Sequence, residues 1–303
     1  MIVVTGGTGV LGLPLVKLLQ DSGAEVHVVR SGDVNLRDAS ATSGFFAALR
    51  PKVVYHLAAR VHGLGGNTRF PAEMFLDNIR INTNVIDAAT RSGVQKIVAV
   101  STVAAYAADL PRPAREDMIW QGPPHGAELA YGHAKRAMLA QLQAYATQFG
   151  LSYAYPILTN IYGPGDRFDP VHGHVVPSLV AKFHAAAREG GTVSIWGTGR
   201  AERDFLYAQD AARAIIRIAE AIEGPVNVAT GRTVRISDVV DILSAHSGVD
   251  GVEWDASLPD GQLERSYDVT RLQEVGFTPA TDIVAGLAET YDWYAANYPD
   301  VRS

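Results

Sequence analysis

The sequence predicts an α/β fold: a Rossmann-type doubly wound parallel sheet with a smaller C-terminal α/β substrate lobe. Three observations predict it. Short apolar runs alternate with helical periodicities through the first half of the chain. The first run leads directly into T-G-G-T-G-V-L-G. Past Gly163 the texture changes to a stretch rich in Gly, Pro and His, followed by shorter elements. The expected division is 1–165 for a dinucleotide-binding domain, with segments near 205–230 returning to it, and 166–303 for the lobe.

Strands are expected at Ile2 to Thr5, Glu25 to Val29, Lys52 to Leu57, Lys96 to Val100 and Ser152 to Leu158, each a short apolar run. Between them the spacing predicts helices over Val10 to Gln20, Ala39 to Leu49, Ala72 to Arg91 and Ala127 to Phe149. In the lobe, helices are expected near Val175 to Arg188, Ala208 to Ile222, Ser237 to Ser247 and Ile283 to Tyr298, with a strand near Val193 to Trp196. Two long loops, Arg60 to Phe70 and Asp109 to Gly126, are expected to be functional or mobile.

The chain has 303 residues, 47% hydrophobic and 19% charged, enough for a large core. A net charge of -6 disfavours nucleic acid and anionic membrane as partners. The absence of cysteine excludes disulfides, zinc-thiolate sites and thiol nucleophiles. No apolar run reaches the roughly 20 residues that cross a bilayer. With a strand beginning at Ile2 and no leader before it, a cytoplasmic protein is expected. His172 and His174 lack a third ligand at a recognisable spacing, so no metal is expected.

Gly6, Gly9 and Gly12 follow the first strand and enter a helix. Gly6 permits a tight turn, Gly9 a close approach of backbone N–H groups to phosphate, and Gly12 close packing of helix on strand. A pyrophosphate would then rest on the helix N-terminus. The second strand ends in Val29-Arg30-Ser31, where an acidic residue would select the ribose hydroxyl of NAD. Arg30 and Ser31 suit a 2′-phosphate instead, which favours NADP(H) over NAD. Asn35 and Leu36 are placed to bracket the adenine, and Leu57, Ala58 and Ala59 to line the cofactor with small side chains and backbone.

Tyr131 and Lys135 share one helix face at i and i+4. The ammonium of Lys135 is expected to lower the Tyr131 phenol from about 10 toward neutrality, so that the phenol can protonate an oxyanion as hydride reaches carbon. Ser101 and Thr102 emerge at the carboxyl end of the fourth strand, where ligands bind in such sheets. Either hydroxyl could hold the substrate oxygen.

With these residues the chain resembles the extended short-chain dehydrogenase/reductase family, and within it the GDP-L-fucose synthases. The resemblance runs over nearly the whole length. It is carried by H-L-A-A-R-V-H-G with P-A-E-M-F-L-D-N, T-N-I-Y-G-P-G-D-R-F, H-V-V-P-S-L-V-A-K-F-H, W-G-T-G-R-A-E-R-D-F-L, and D-A-S-L-P-D-G ahead of D-V-T-R-L. It implies reduction of a GDP-linked 4-keto-6-deoxy sugar by NADPH after epimerisation at carbons 3 and 5. By position it makes Tyr131, Lys135 and Thr102 the catalytic set, and His174 the epimerising histidine. It further implies cofactor contacts from Thr8, Val10, Leu11, Val100, Leu158, Asn160 and Ile161. Substrate contacts would come from Thr102, Asn160, His174, Val175, Lys182, Trp196, Arg203, Asp260 and Arg265. It also implies a homodimer built from the helices over Ala72 to Arg91 and Ala127 to Phe149.

The family usually has Arg where Lys182 stands and Lys where Arg265 stands, and two further departures matter more. Ala104 stands where the family carries its epimerising cysteine, and Thr8 stands where an arginine often assists the 2′-phosphate. The expected activity is therefore a carbon-4 ketoreductase of a GDP-linked 4-keto-6-deoxy sugar or related heptose. The alternatives are the full synthase with its epimerase activity, a nucleotide-sugar 4-epimerase, and a non-catalytic NADP-binding sensor.

Overall fold

The computed structural model describes residues 1–61, 69–171, 173–258 and 260–302. Most of the loop expected over Arg60 to Phe70 lies outside the described residues, as does His172. The first half comprises β1 (Ile2–Thr5), α1 (Gly12–Asp21), β2 (Val26–Val29), α2 (Ala39–Leu49), β3 (Val53–His56), α3 (Pro71–Arg91), β4 (Lys96–Ala99), β5 (Ser101–Thr102), α4 (Leu129–Phe149) and β6 (Ser152–Leu158). There follow β7 (Asn160–Tyr162), α5 (Val175–Glu189), β8 (Val193–Trp196), β9 (Glu202–Arg203), β10 (Phe205–Tyr207), α6 (Ala208–Ala221), β11 (Gly224–Val228), β12 (Val234–Arg235), α7 (Ile236–Ser247), β13 (Val252–Asp255), α8 (Thr270–Glu274) and α9 (Ile283–Asn297).

The main sheet runs β11-β6-β4-β3-β1-β2, and β5 pairs with β6 beyond the end of β4. All of its pairings are parallel. The chain leaves β1 toward β2 and returns to the other side of β1 as β3, so the switch point lies between β1 and β3, above Thr5 and His56. One face is covered by α2, α3 and α4, whose Phe46, Val85, Ile86, Met138 and Leu142 are buried against it. The other is covered by α1 and α6 through Leu15, Leu19, Ala211, Ile215 and Ile218. A third core gathers Phe168, Phe183, Ile195, Leu243, Leu287 and Tyr294 from the segments after β7.

Local signals set the helix ends. The Asp38 side chain accepts the Ala41 N–H at the start of α2, and Asp282 does the same for Ala285 at α9. Pro71 opens α3, where its missing N–H is no loss. Gly150 closes α4 in the left-handed region at φ 68°.

The strand expected over Lys96 to Val100 is broken. It stops at Ala99 and resumes as β5, while β6 pairs with β4 through Ser152 to Ala154 and with β5 only from Ile157. Pro156 lies in that gap and has no N–H for a ladder. The long loop over Asp109 to Gly126 is also tied down. The buried Glu116 carboxylate accepts the Asn227 N–H at 2.8 Å, and the Arg136 guanidinium donates to Ala105 O, Gly122 O and Gln121 O. No helix among the described residues is long and apolar enough to cross a membrane.

The ends of β1 and β3 are joined by a buried polar chain. His56 Nδ1 is 2.8 Å from Thr5 Oγ1, and His56 Nε2 is 3.1 Å from Asn82 Oδ1. The Asn82 oxygen can only accept, so Nε2 carries the proton and Nδ1 accepts from the threonine hydroxyl. Thr5 Oγ1 in turn accepts the Ala58 N–H at 3.2 Å, which fixes the backbone after β3. Burial, aided by the positive charge of Lys135, pushes His56 down to about 3. The unfolded chain therefore takes up this proton first, near pH 6.5, and the stabilisation present above that pH is lost progressively as pH falls toward 3. At pH 5 this loss amounts to about 2 kcal/mol. Urea denaturation of wild type and of His56→Gln is expected to show their stability difference narrowing by about that amount between pH 7 and pH 5. A difference that stays constant over this range would contradict a neutral buried imidazole.

Candidate active site

The turn between β1 and α1 is pressed against two neighbours. Gly6 has φ 73°, and a Cβ on it would stand 2.8 Å from the Ala58 nitrogen. A Cβ on Gly12 would stand 2.4 Å from the Gly6 carbonyl oxygen, so only glycine lets α1 lie this close to β1. At Gly9 the nearest atom to an added Cβ is 3.5 Å away, so that side of the turn is open. Together with the first N–H groups of α1, this cradle fits the pyrophosphate of a dinucleotide. Thr8 is exposed at its rim, Val10 is half-buried, and Leu11 is buried in the core beneath.

Arg30 and Ser31 are exposed at the end of β2, where the Arg30 N–H donates to Asp33 Oδ2 at 2.8 Å. Asn35 Oδ1 accepts from the Arg37 backbone and Nε, and Leu36 O accepts from Asn84 of α3 at 2.9 Å. Leu57, Ala58 and Ala59 leave β3 half-buried beside Gly6. Leu158 ends β6 and is buried, while Asn160 and Ile161 open β7. Asn160 Nδ2 donates to Asp204 O at 2.9 Å.

Lys135 is 2% exposed and its Nζ donates to the Val100 carbonyl at 2.7 Å. That carbonyl sits in the gap between β4 and β5. The Lys135 Nζ also lies 5.7 Å from the centre of the Tyr131 ring. The two candidate hydroxyls differ in their surroundings. Ser101 is buried and donates to the Tyr155 hydroxyl, which donates to Lys135 O, both at 2.7 Å. Thr102 is half-buried, and its Oγ1 accepts the Ala104 N–H at 3.2 Å, leaving its own proton to donate.

The expected fall of the Tyr131 phenol is corrected by the structure. Burial within the cleft, and then the negative charge of Glu128, push it well above its ordinary value. The ammonium that was to lower it is itself desolvated to about 7 and bonded to Val100 O. Low-dielectric surroundings disfavour phenolate and ammonium alike, a tertiary effect that i, i+4 spacing does not contain.

His174 immediately precedes α5, and Val175 after it is exposed. Burial of its surroundings lowers His174, opposed by Glu128. Glu128 thus acts electrostatically on both His174 and Tyr131. It also accepts from both terminal guanidinium nitrogens of Arg265, at 2.5 and 3.3 Å. Sequence reasoning missed Glu128, because its partner lies on a distant segment. Arg203 is half-buried and donates to Glu202 O; burial, then the Arg265 charge, lower it to about 10. Lys182 Nζ donates to Ser194 O at 2.9 Å, two residues before the 62% exposed Trp196. Asp260 holds Thr198 through N–H and hydroxyl, both at 2.6 Å, beside that tryptophan.

Residues 2–230 match the NAD dependent epimerase/dehydratase family. The chain is 36% identical over 300 residues to a probable GDP-L-fucose synthase 1 of Oryza sativa subsp. japonica, spanning 97% of this chain and 92% of that protein. It is 33% identical over 313 residues to the GDP-L-fucose synthase of Escherichia coli (strain K12), spanning 99% and 98% of the two. Among solved structures it matches a GDP-L-fucose synthetase from Naegleria fowleri bound to NADP, with TM-score 0.92 and 28% identity over 100% of this chain and 96% of that one. A GDP-6-OMe-4-keto-L-xylo-heptose reductase from C. jejuni shares the fold with TM-score 0.92 at 24% identity, over 98% and 97%. The chain belongs to the NAD dependent epimerase/dehydratase family, within the extended short-chain dehydrogenases/reductases.

Proposed function

We propose that the protein is an NADP-dependent carbon-4 ketoreductase of a GDP-linked 4-keto-6-deoxy sugar or related heptose. The observation that carries this reading is the joint placement of Thr102, Tyr131 and Lys135 at the carboxyl end of the parallel sheet, with the glycine turn at the same end. Relatives named GDP-L-fucose synthase over nearly the full length support the substrate class.

NADPH, when bound, supplies the hydride. Gly6, Gly9, Gly12 and the backbone at Ala58 would hold its pyrophosphate side, and Arg30 with Ser31 its 2′-phosphate. The Tyr131 phenol, raised by burial, keeps its proton at neutral pH and passes it to the oxygen that forms at carbon 4. Thr102 donates a hydrogen bond to the same oxygen. Lys135 in its charged form stabilises the phenolate left behind until solvent restores the proton. In the lobe, Arg203 and Lys182 would meet the diphosphate of the substrate, and Trp196 offers a flat exposed face to its base. Asp260 fixes the Trp196–Thr198 segment, and Arg265 brings Glu128 into the same cluster.

Ala104 is 6% exposed and has no exchangeable proton. Epimerisation beside a ketone needs one group to take a proton and another to return it on the opposite face. His174 is left without that partner, so reduction without exchange at carbons 3 and 5 is the favoured reading. Helices α3 and α4 carry exposed Phe75 and Leu129 lining a groove of about 760 Å³, with exposed Leu76 next in sequence to Phe75, which supports a homodimer formed through these helices.

NADPH oxidation is to be followed over a panel of 4-keto sugar nucleotides, with product stereochemistry read by NMR. The GDP-linked ketones are expected to turn over, and Tyr131→Phe to lower kcat by about 10²-fold or more with NADPH affinity retained. Undiminished turnover in that variant would end this reading. In deuterium oxide no label is expected at carbons 3 and 5, whereas label there would restore the full synthase. Reduction requires charged Lys135 and protonated Tyr131. With Lys135 at about 7 and Tyr131 far higher, the rate is expected to fall as pH rises through about 7. A rate that climbs from pH 6 to pH 9 would contradict the assignment.

A further inference from the structure

The segment after α9 returns to the glycine turn at the other end of the chain. The Phe168 N–H donates to Arg302 O at 2.7 Å, docking this segment on the loop that follows β7. The same loop packs on α1: a Cβ on Gly165 would stand 2.7 Å from Leu13 Cδ1. From this anchor the Arg302 side chain reaches over the turn between β1 and α1. Its Nη1 lies 3.5 Å from the Thr8 carbonyl oxygen, and 4.0 Å from where a Cβ on Gly9 would be.

That contact is at the long limit of a hydrogen bond. The Arg302 side chain makes no other hydrogen bond among the described residues. It is exposed, so a guanidinium with five donors stands beside the open side of the turn with most of them uncommitted. Beneath it, Asp166 is 5% exposed and its Oδ2 has no hydrogen-bond partner. Burial raises this carboxyl to about 7, and the charge of Arg302 is among the influences that lower it again. The Thr8 carbonyl and the nearby buried acid both favour a positive charge at this place.

We propose that Arg302 is a further binding residue for the dinucleotide, closing on the pyrophosphate from the segment after α9; this rests on the reading of the glycine turn as the NADP site. Backbone N–H groups and the α1 dipole supply only partial positive charge. A diphosphate carries two full negative charges, and a forked guanidinium at the open side of Gly9 supplies a full counter-charge with bidentate geometry. Thr8 adds no charge of its own, so the basic group at this turn comes from the opposite end of the chain.

Calorimetric titration of wild type, Arg302→Ala and Arg302→Lys with NADPH and with NADH tests this. Arg302→Ala is expected to weaken both dinucleotides by the same factor, about ten-fold, with Arg302→Lys recovering part of it. The thermal midpoint of the ligand-free protein is expected to be unchanged, because the side chain is exposed. Equal affinities in wild type and Arg302→Ala would overturn the proposal. So would a loss confined to NADPH, which would place the guanidinium on the 2′-phosphate. Failure of wild type to bind either dinucleotide would instead overturn the reading of the turn on which the proposal rests, before any variant is compared.

Discussion

The bond from the Lys135 ammonium to the Val100 carbonyl organises the carboxyl end of the sheet. A carbonyl in the middle of a parallel strand is normally spent on its neighbour. Here β4 stops at Ala99 and β5 begins at Ser101, with Pro156 of β6 in the gap where one pairing gives way to the other. Val100 keeps its N–H on the His56 carbonyl, and its own carbonyl takes the ammonium at 2.7 Å. The helix is held from a second side, since Tyr155 of β6 donates to Lys135 O and receives the Ser101 hydroxyl. Helix α4, the end of β4 and the middle of β6 are thereby locked together. Tyr131, one turn earlier on α4, and Thr102, two residues past Val100, inherit their positions from that lock.

The same burial that makes the lock firm sets its electrostatics. A lysine with almost no exposed surface loses hydration that a single carbonyl only partly replaces, which is why its ammonium is weakened to about 7. The phenol beside it is raised for the same reason. The pair therefore favours a protonated phenol over a standing phenolate, which suits the reductive direction proposed. Glu128 reinforces the bias by opposing negative charge on Tyr131 and favouring positive charge on His174. Its bidentate pairing with Arg265 ties the start of α4 to the lobe, so Tyr131 and the basic cluster around Arg203 are held in one frame.

What could be read from the sequence was whatever is written in short spacings. The glycine turn, the i, i+4 pair and the strands Ile2–Thr5 and Ser152–Leu158 are local patterns, and the structure reproduces those elements. The residue types left Ser101 and Thr102 open and only the family resemblance favoured Thr102; the physical ground for that choice was not written there. It depends on Tyr155 standing beneath Ser101, a contact across 54 residues of sequence. The two-residue strands β9 and β12 are too short to show a period and exist only because they pair with each other. The Glu128–Arg265 pair spans 137 residues and leaves no local trace. The phenol was misjudged because spacing reveals a neighbouring charge and conceals the loss of water around both groups.

These relations bear on why reduction and epimerisation can part company at position 104. The backbone there has two tasks that do not involve its side chain. Its N–H donates to Thr102 Oγ1, and its carbonyl lies so close to α4 that a Cβ on Gly132 would stand 2.5 Å from it. Both contacts set the geometry of Thr102 and the start of α4, and alanine serves them as well as any residue that accepts this backbone conformation. A thiol at the same Cβ would add a proton donor without being needed by either contact. On the proposed function, its absence would subtract exchange at the carbons beside the ketone and leave the Thr102–Tyr131–Lys135 frame in place. A chain with Ala104 and an otherwise intact frame is therefore physically coherent as a reductase.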